Sequence, residues 1–272
     1  MATLTRPFSL LTLALLATSA TAGTLYDPAL VTLPTAQGWS ALGVGSPPSQ
    51  TFVGGRLRTD TLTDPAVTQF VNYLSPPAPV PLDTVAGFTL SFGLQLDSEA
   101  HQSVNRAGYS VLVQGLDQSK AIELSFWANE VWAMNYVVGG DDSGFVHGSG
   151  FGLPTTASFR QYALTVQNNA YTLSADGAPI LSGPMIDYPV LGLSTAVYGT
   201  SNTLFLGDNS SRGQAITDLG LVSIVAVPEP AAAWMLAAGL GILALRRRRR
   251  SAPRYWPRLA LGVDGHVSEV VR

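Results

Sequence analysis

The chain has 272 residues, no cysteine and a formal charge of −3, a length that holds one large all-β domain or two smaller ones. The lack of cysteine excludes disulfides and thiolate metal centres, so an exported domain built from this sequence is held by its core alone. Charge is unevenly placed: between Thr24 and Val227 six Lys and Arg stand against fifteen Asp and Glu, a body of net charge −9, while the other nine basic residues lie at the two ends. So acidic a body argues against nucleic acid and anionic lipid as its partners, because both require a basic surface.

At the N-terminus, Arg6 opens a weakly basic region, Phe8 to Ala17 is an apolar run of signal-peptide length, and Ala20-Thr21-Ala22 has the small residues of a cleavage site. This assigns residues 1–22 to a signal peptide cut between Ala22 and Gly23. Leu25 to Val44 is rich in turn residues. Gln50 to Thr61 reads as a strand, with Gly54-Gly55 marking a bulge or a close backbone approach. Asp64 to Pro81, crowded with Pro76, Pro77, Pro79 and Pro81, reads as a surface connection, because proline lacks the N–H that a central strand donates.

Phe88, Leu90, Phe92, Leu94 and Leu96 share one parity while polar or small residues take the other, the pattern of a half-buried strand. Tyr109-Val111-Val113, Ile122-Leu124-Phe126, Tyr162-Leu164-Val166 and Leu219-Leu221-Ser223-Val225 repeat it. Turn signals separate these runs at Asp117-Gln118-Ser119, Gly139 to Asp142, Asn168-Asn169 and Asp176-Gly177. Phe159 to Gly183 reads as three strands joined by two hairpin turns. Short strands between tight turns predict a sandwich or barrel. The Phe159–Gly183 meander, followed by a strand at Thr203 to Leu206, is similar to laminin-G and concanavalin A-like sandwiches. The expectation is therefore an all-β, jelly-roll (concanavalin A-like) β-sandwich over residues 23–226.

Beyond it the sequence is Val227-Pro228-Glu229-Pro230, then Ala231 to Leu245 without a charge, then Arg246, Arg247, Arg248, Arg249 and Arg250. Fifteen uncharged residues rise about 22 Å as a helix, short of a hydrocarbon core of about 30 Å, so spanning needs the flanking arginines to snorkel. The order of these parts resembles the PEP-CTERM sorting signal of Gram-negative bacteria. The resemblance implies export through the inner membrane, a single transmembrane helix at about 231–245, and handling by the protease-transpeptidase exosortase. The expected product is anchored, or released to the cell surface or extracellular matrix. The sorting segment is 227–250. Residues 251–272 extend past the usual end of such signals, and their two prolines and lack of periodicity predict a disordered tail.

Four stretches of the body, Leu25–Trp39, Leu82–Val113, Ile122–Ala133 and Leu204–Ser210, resemble the choice-of-anchor Y domain of exported proteins. That resemblance implies anchoring and a sandwich, and supplies no activity.

For chemistry, the run Glu99 to Arg106 is the most polar in the body and is expected as a rim loop. Alternation puts Glu123 and Trp127 on one face, where an indole and a carboxylate could cradle a sugar. The competing reading makes Glu123 a structural partner of Arg106 or Arg58 and packs Trp127 in a core. The ligand-binding candidates are thus Glu99, His101, Arg106, Glu123 and Trp127. No catalytic residue is assigned: a retaining glycosidase needs two facing carboxylates about 5 Å apart, and on one uninterrupted strand Glu123 and Glu130 point to opposite faces. His101, His147 and His266 lack zinc-ligand spacing. Asp141, Asp142 and Asp208, all in expected turns, are calcium candidates, although acidic turn residues commonly serve the turn itself. Two functions stay open: a non-enzymatic surface or matrix protein binding extracellular polysaccharide, and a secreted carbohydrate-active enzyme on the same scaffold.

Overall fold

The computed structural model describes residues 22–44, 47–63, 70–139, 144–188, 197–227 and 239–241. The chain divides into two units, 1–228 and 229–272. Among the described residues of the first, fifteen strands form two antiparallel sheets, as the alternating pattern predicts. In chain order they are β1 (Ala22–Tyr26), β2 (Ser40–Val44), β3 (Ser49–Val53), β4 (Arg56–Asp60), β5 (Phe70–Leu74), β6 (Phe88–His101), β7 (Tyr109–Gln114) and β8 (Ala121–Phe126). There follow β9 (Glu130–Tyr136), β10 (Phe145–Gly152), β11 (Arg160–Gln167), β12 (Ala170–Ala175), β13 (Ala178–Pro184), β14 (Thr203–Gly207) and β15 (Gly213–Ala226). One sheet runs β13-β12-β11-β6-β15-β4-β3, with β1 also on β15, and the other runs β10-β9-β8-β7-β14-β5-β2.

The core lies between the sheets. Phe88, Leu90, Phe92, Leu94 and Leu96 of β6 are all buried, and they meet Val111, Ile122, Leu124, Phe126, Leu204 and Leu206 from the facing sheet. Phe92 stacks on Tyr162 at 5.3 Å, and Phe126 meets both rings edge-on. A rigid aromatic layer of this kind adds about 0.5–1.5 kcal/mol per pair beyond burial.

Several local expectations need correction. Gly54 and Gly55 form a two-residue hairpin turn between β3 and β4, not a bulge; both have positive φ (58° and 75°), as that turn type requires. Asn168-Asn169 and Asp176-Gly177 close the two hairpins of the Phe159–Gly183 meander in the same way. The proline-rich stretch contains β5, which pairs β14 and β2 and ends before Pro76, Pro77, Pro79 and Pro81. Glu123 and Glu130 lie on adjacent antiparallel strands rather than on one strand. The expected signal peptide lies outside the described residues, apart from Ala22, and so do the sorting motif from Pro228 onward, the arginine cluster and the tail. Residues 239–241 are helical, and among the described residues no helix is long and apolar enough to cross a membrane.

Strand direction gives the sandwich two distinct poles. At the terminal pole β1 begins beside the end of β15, with Ala22 opposite Val225, and the Val227 N–H donates to the Gly87 carbonyl at 3.0 Å. The turns Asp83–Gly87, Asn168–Asn169 and Gly115–Lys120 meet there: the Asn168 N–H donates to Val85 and the Leu116 N–H to Leu82. At the opposite pole β6 ends at His101 against Gly213, and the Gln102 N–H donates to the Arg212 carbonyl at 2.7 Å.

On the outer face of the first sheet, Gly93 and Gly220 form a saddle under the Phe159 ring. A Cβ at Gly93 would lie 2.3 Å from Phe159 Cζ, and one at Gly220 2.7 Å from it. The Arg56 guanidinium covers the ring at 3.6 Å. Gly93→Ala is expected to destabilise the domain by about 1–3 kcal/mol through overpacking. In a urea-denaturation cycle, adding Phe159→Ala should remove most of that increment, and additive effects would refute the saddle.

Candidate functional site

The opposite pole carries one cluster, and a second, linked to it through Arg106, lies on the face of the second sheet turned away from the first. The first forms because β6 runs past its alternating segment, which puts Glu99 and His101 two residues apart and on one face. His101 Nδ1 lies 2.9 and 3.1 Å from the two Glu99 carboxylate oxygens. The Glu99 side chain is 2 % exposed. Burial pushes its carboxyl above the ordinary value, and His101 with the backbone N–H groups of Ala128 and Gly108 opposes that rise. The His101 ring stacks on Trp127 at 4.3 Å and 6°. Trp127 Nε1 donates to the Arg106 carbonyl at 2.7 Å. Trp127 also meets Trp132 edge-on at 5.6 Å and His147 at 4.9 Å. His147 in turn stacks on Trp132 at 4.4 Å and sets Nε2 3.3 Å from Glu130. Two imidazole–carboxylate pairs thus enclose two indoles. Trp132 is fully buried, and its Nε1 has no hydrogen-bond partner among the described residues.

The loop that joins the clusters lies flat on β15. Added Cβ atoms would fall 2.3 Å from the Gln214 carbonyl at Gly108 and 2.4 Å from Ala107 backbone at Gly213, so this approach depends on glycine at both places.

The second cluster surrounds Glu123. In β7 and β8 one parity enters the core, and the other (Ser110, Leu112, Glu123, Ser125) faces away from the first sheet and is nevertheless buried. Tyr188 and Tyr198 cover that face with Leu112, Ala121 and Phe205. The fully buried Glu123 carboxylate accepts from the Tyr198 hydroxyl and from Asn209 Nδ2 (3.1 Å), which also donates to the Tyr198 oxygen at 3.1 Å. Burial, and next the Glu123 charge, push the Tyr198 hydroxyl well above its ordinary value, so it serves as a fixed donor. Beside the carboxylate opens a cavity of about 190 Å³, walled by Arg106, Ser110, Phe145, Tyr198, Asn209 and Ser210 among others. The Arg106 guanidinium carbon lies 5.0 Å from the Phe145 ring centre, and Phe145 and Tyr198 lie 5.3 Å apart. The cavity therefore offers hydrogen-bond acceptors and donors next to aromatic surface.

The candidates divide accordingly. Glu99, His101 and Trp127 come together. Glu123 lies on the same outer face as Trp127, as expected, since Ser125 shares its parity and pairs with Trp132, on which Trp127 packs, but its carboxylate is held by Tyr198 and Asn209 instead. Arg106 bridges the clusters, its carbonyl in the first and its side chain in the wall of the second. Arg58 is no partner of Glu123: on the other sheet it pairs with Asp97 and, at 3.3 Å, with Asp218. The sequence reading missed Tyr198, Asn209, Trp132 and the His147–Glu130 pair.

Of the calcium candidates, Asp141 and Asp142 lie outside the described residues. Among those described, no three His, Cys, Asp or Glu side chains converge. Asp208 is 2 % exposed; its Oδ1 accepts from the Ser210 N–H at 3.0 Å, and its Oδ2 has no partner among the described residues. Burial pushes its carboxyl up to about 9, against the Ser210 N–H and the Thr61 hydroxyl. The folded state then keeps a proton that the unfolded chain sheds near the ordinary carboxylate value, so stability falls as pH rises between the two. Asp208→Asn is expected to flatten that slope, which is at most about 1.4 kcal/mol per pH unit. Urea midpoints at pH 5 and pH 8 check it, and an unchanged slope in the variant would contradict the assignment.

Residues 226–250 match the PEP-CTERM protein-sorting motif, which implies export and membrane-linked processing by exosortase. No curated protein sequence matches the chain. Among solved structures, the carbohydrate esterase of the Shiga toxin-encoding bacteriophage phi24B is 13 % identical, with a TM-score of 0.54, over 76 % of this chain and 100 % of that one. A Bacillus subtilis protein of unknown function with a galectin-like fold is 15 % identical over 76 % and 98 %, with a TM-score of 0.44. The Bacillus subtilis carbohydrate-binding module CBM66 is 11 % identical over 70 % and 96 %, with a TM-score of 0.40. The likeness is one of fold.

Proposed function

We propose that this is an exported, surface- or matrix-associated protein without catalytic activity that binds polysaccharide on the outer face of the second sheet. The observation that carries the reading is the Glu123 cavity. Its buried carboxylate is already oriented by Tyr198 and Asn209, and it has lone pairs left to accept sugar hydroxyls. Phe145 and Tyr198 offer the aromatic surface on which the C–H faces of a sugar ring pack. The net charge of −9 on the body favours a neutral polysaccharide over a strongly anionic one.

A glycan array and calorimetry with the binding polysaccharide test this. Glu123→Gln is expected to weaken binding about tenfold or more, as loss of a charged hydrogen bond of about 1.5–3 kcal/mol implies, without loss of the folded baseline. Polysaccharide hydrolysis that Glu123→Gln or Glu99→Gln abolishes would favour the secreted enzyme instead.

The sorting segment has a separate test. In the native host, mass spectrometry of the mature protein should find no peptide beyond Pro228-Glu229-Pro230. Recovery of a chain that still carries Arg246 to Arg250 would mean a simple anchor.

A further inference from the structure

The Glu123 cavity is walled on four sides. In the strand order β10-β9-β8-β7-β14 its floor belongs to the middle strands, with Glu123 from β8 and Ser110 from β7. Across the strands, Phe145 at the start of β10 stands on one side, set edge-on against Tyr136 at 5.5 Å. Asn209 and Ser210, just past the end of β14, stand on the other. Along the strands, Arg106 closes the end where β7 begins. At the far end the Tyr198 ring lies 5.0 Å from Tyr188, which packs with Leu112 and Ala121 and donates its hydroxyl to the Met134 carbonyl at 3.2 Å. The enclosed space, about 190 Å³, is below the roughly 300–1,000 Å³ of sites that bury a drug-sized ligand. Such a pit has room for one six-membered ring. It has no path for a chain that enters at one side and leaves at the other.

The geometry points to recognition of a single sugar ring, at the end or on a branch of a polysaccharide, and not of a stretch of its backbone. This rests on the reading that the cavity binds polysaccharide. Both Glu123 oxygens are fixed, Oε2 by the Tyr198 hydroxyl and Oε1 by Asn209 Nδ2 at 3.1 Å, so the hydroxyls of one ring meet acceptors of set direction. The Phe145 and Tyr198 rings, 5.3 Å apart and inclined at 31°, form one apolar corner. A second sugar would find no such surface in the pit. An internal ring is linked on two sides and needs an exit at each, whereas a terminal or branch ring has one link and enters end-on.

A length series on the full-length protein tests this. Methyl glycosides of glucose, galactose, mannose and N-acetylglucosamine are titrated by calorimetry beside the homologous oligosaccharides of two to six rings. One series should bind, with the affinity for one ring within about threefold of that for six, because only the first ring is held. Affinity that climbs about tenfold or more along the series would overturn single-ring recognition alone and leave polysaccharide binding standing. No binding by any member would overturn both readings. Glu123→Gln and, at the rim, Asn209→Ala should each weaken the one-ring and six-ring ligands by the same factor. A loss confined to the longer ligands would mean that the cavity holds a backbone stretch, and unchanged affinity in both variants would place binding outside the cavity and overturn both readings.

Discussion

The pairing of β6 with β15 is the constraint from which the rest follows. Both strands have 14 residues, and they run antiparallel through the middle of the first sheet. The other edge of β15 is shared by β4 and β1. A slip of one residue would turn Phe88 to Leu96 out of the core and their polar alternates into it, so the register is strongly fixed. Where β15 bulges between Leu219 and Val222, Gly220 and Gly93 receive Phe159. The poles are set by this pair alone. Because β6 ends where β15 begins, the loops after His101 and before Gly213 emerge side by side, and Glu99, Arg106, Asp208 and Asn209 are gathered from distant parts of the sequence.

How legible each strand was depends on what covers its two faces. β6 and β11 have one face in the core and one towards solvent, and Phe88–Leu96 and Tyr162–Val166 declare themselves by alternation. β7 and β8 are buried on both faces. There Ser110, Glu123 and Ser125 look like the solvent-facing half of an ordinary strand, yet Tyr188 and Tyr198 close over that side. Sequence periodicity reports polarity, and a buried polar group satisfied by hydrogen bonds has the same signature as an exposed one. β10, Phe145–Gly152, holds three glycines and lies at a sheet edge, so it has little pattern to read; β5 is hidden beside a run of prolines.

The same distinction separates the sorting segment from the site. Pro228 to Arg250 is local in sequence, with every part adjacent to the next, so its order alone identifies it. The Glu123 network joins residues 75 and 86 positions apart, and no spacing rule connects Glu123 with Tyr198 or Asn209. Glu99 and His101 are two residues apart, and their contact was within reach of strand geometry. That β6 would carry both was not, because its alternation lapses after Leu96. Trp132 and His147 reach the rim through the β9–β10 pairing, which depends on a turn in part outside the described residues.

Stability and recognition are divided between the two faces of single strands. On β8, Ile122, Leu124 and Phe126 enter the central core, and Glu123 and Ser125 enter the network beneath Tyr198. A buried carboxylate costs several kcal/mol in desolvation, and such a group stabilises a fold less than apolar residues of equal volume. The core on the other side is continuous from Leu25 to Ile224 and does not need Glu123. What the network adds is a fixed geometry: a carboxylate whose two oxygens are each held by a named donor beside a cavity. An arrangement that adds little to stability but fixes direction suits the recognition proposed above.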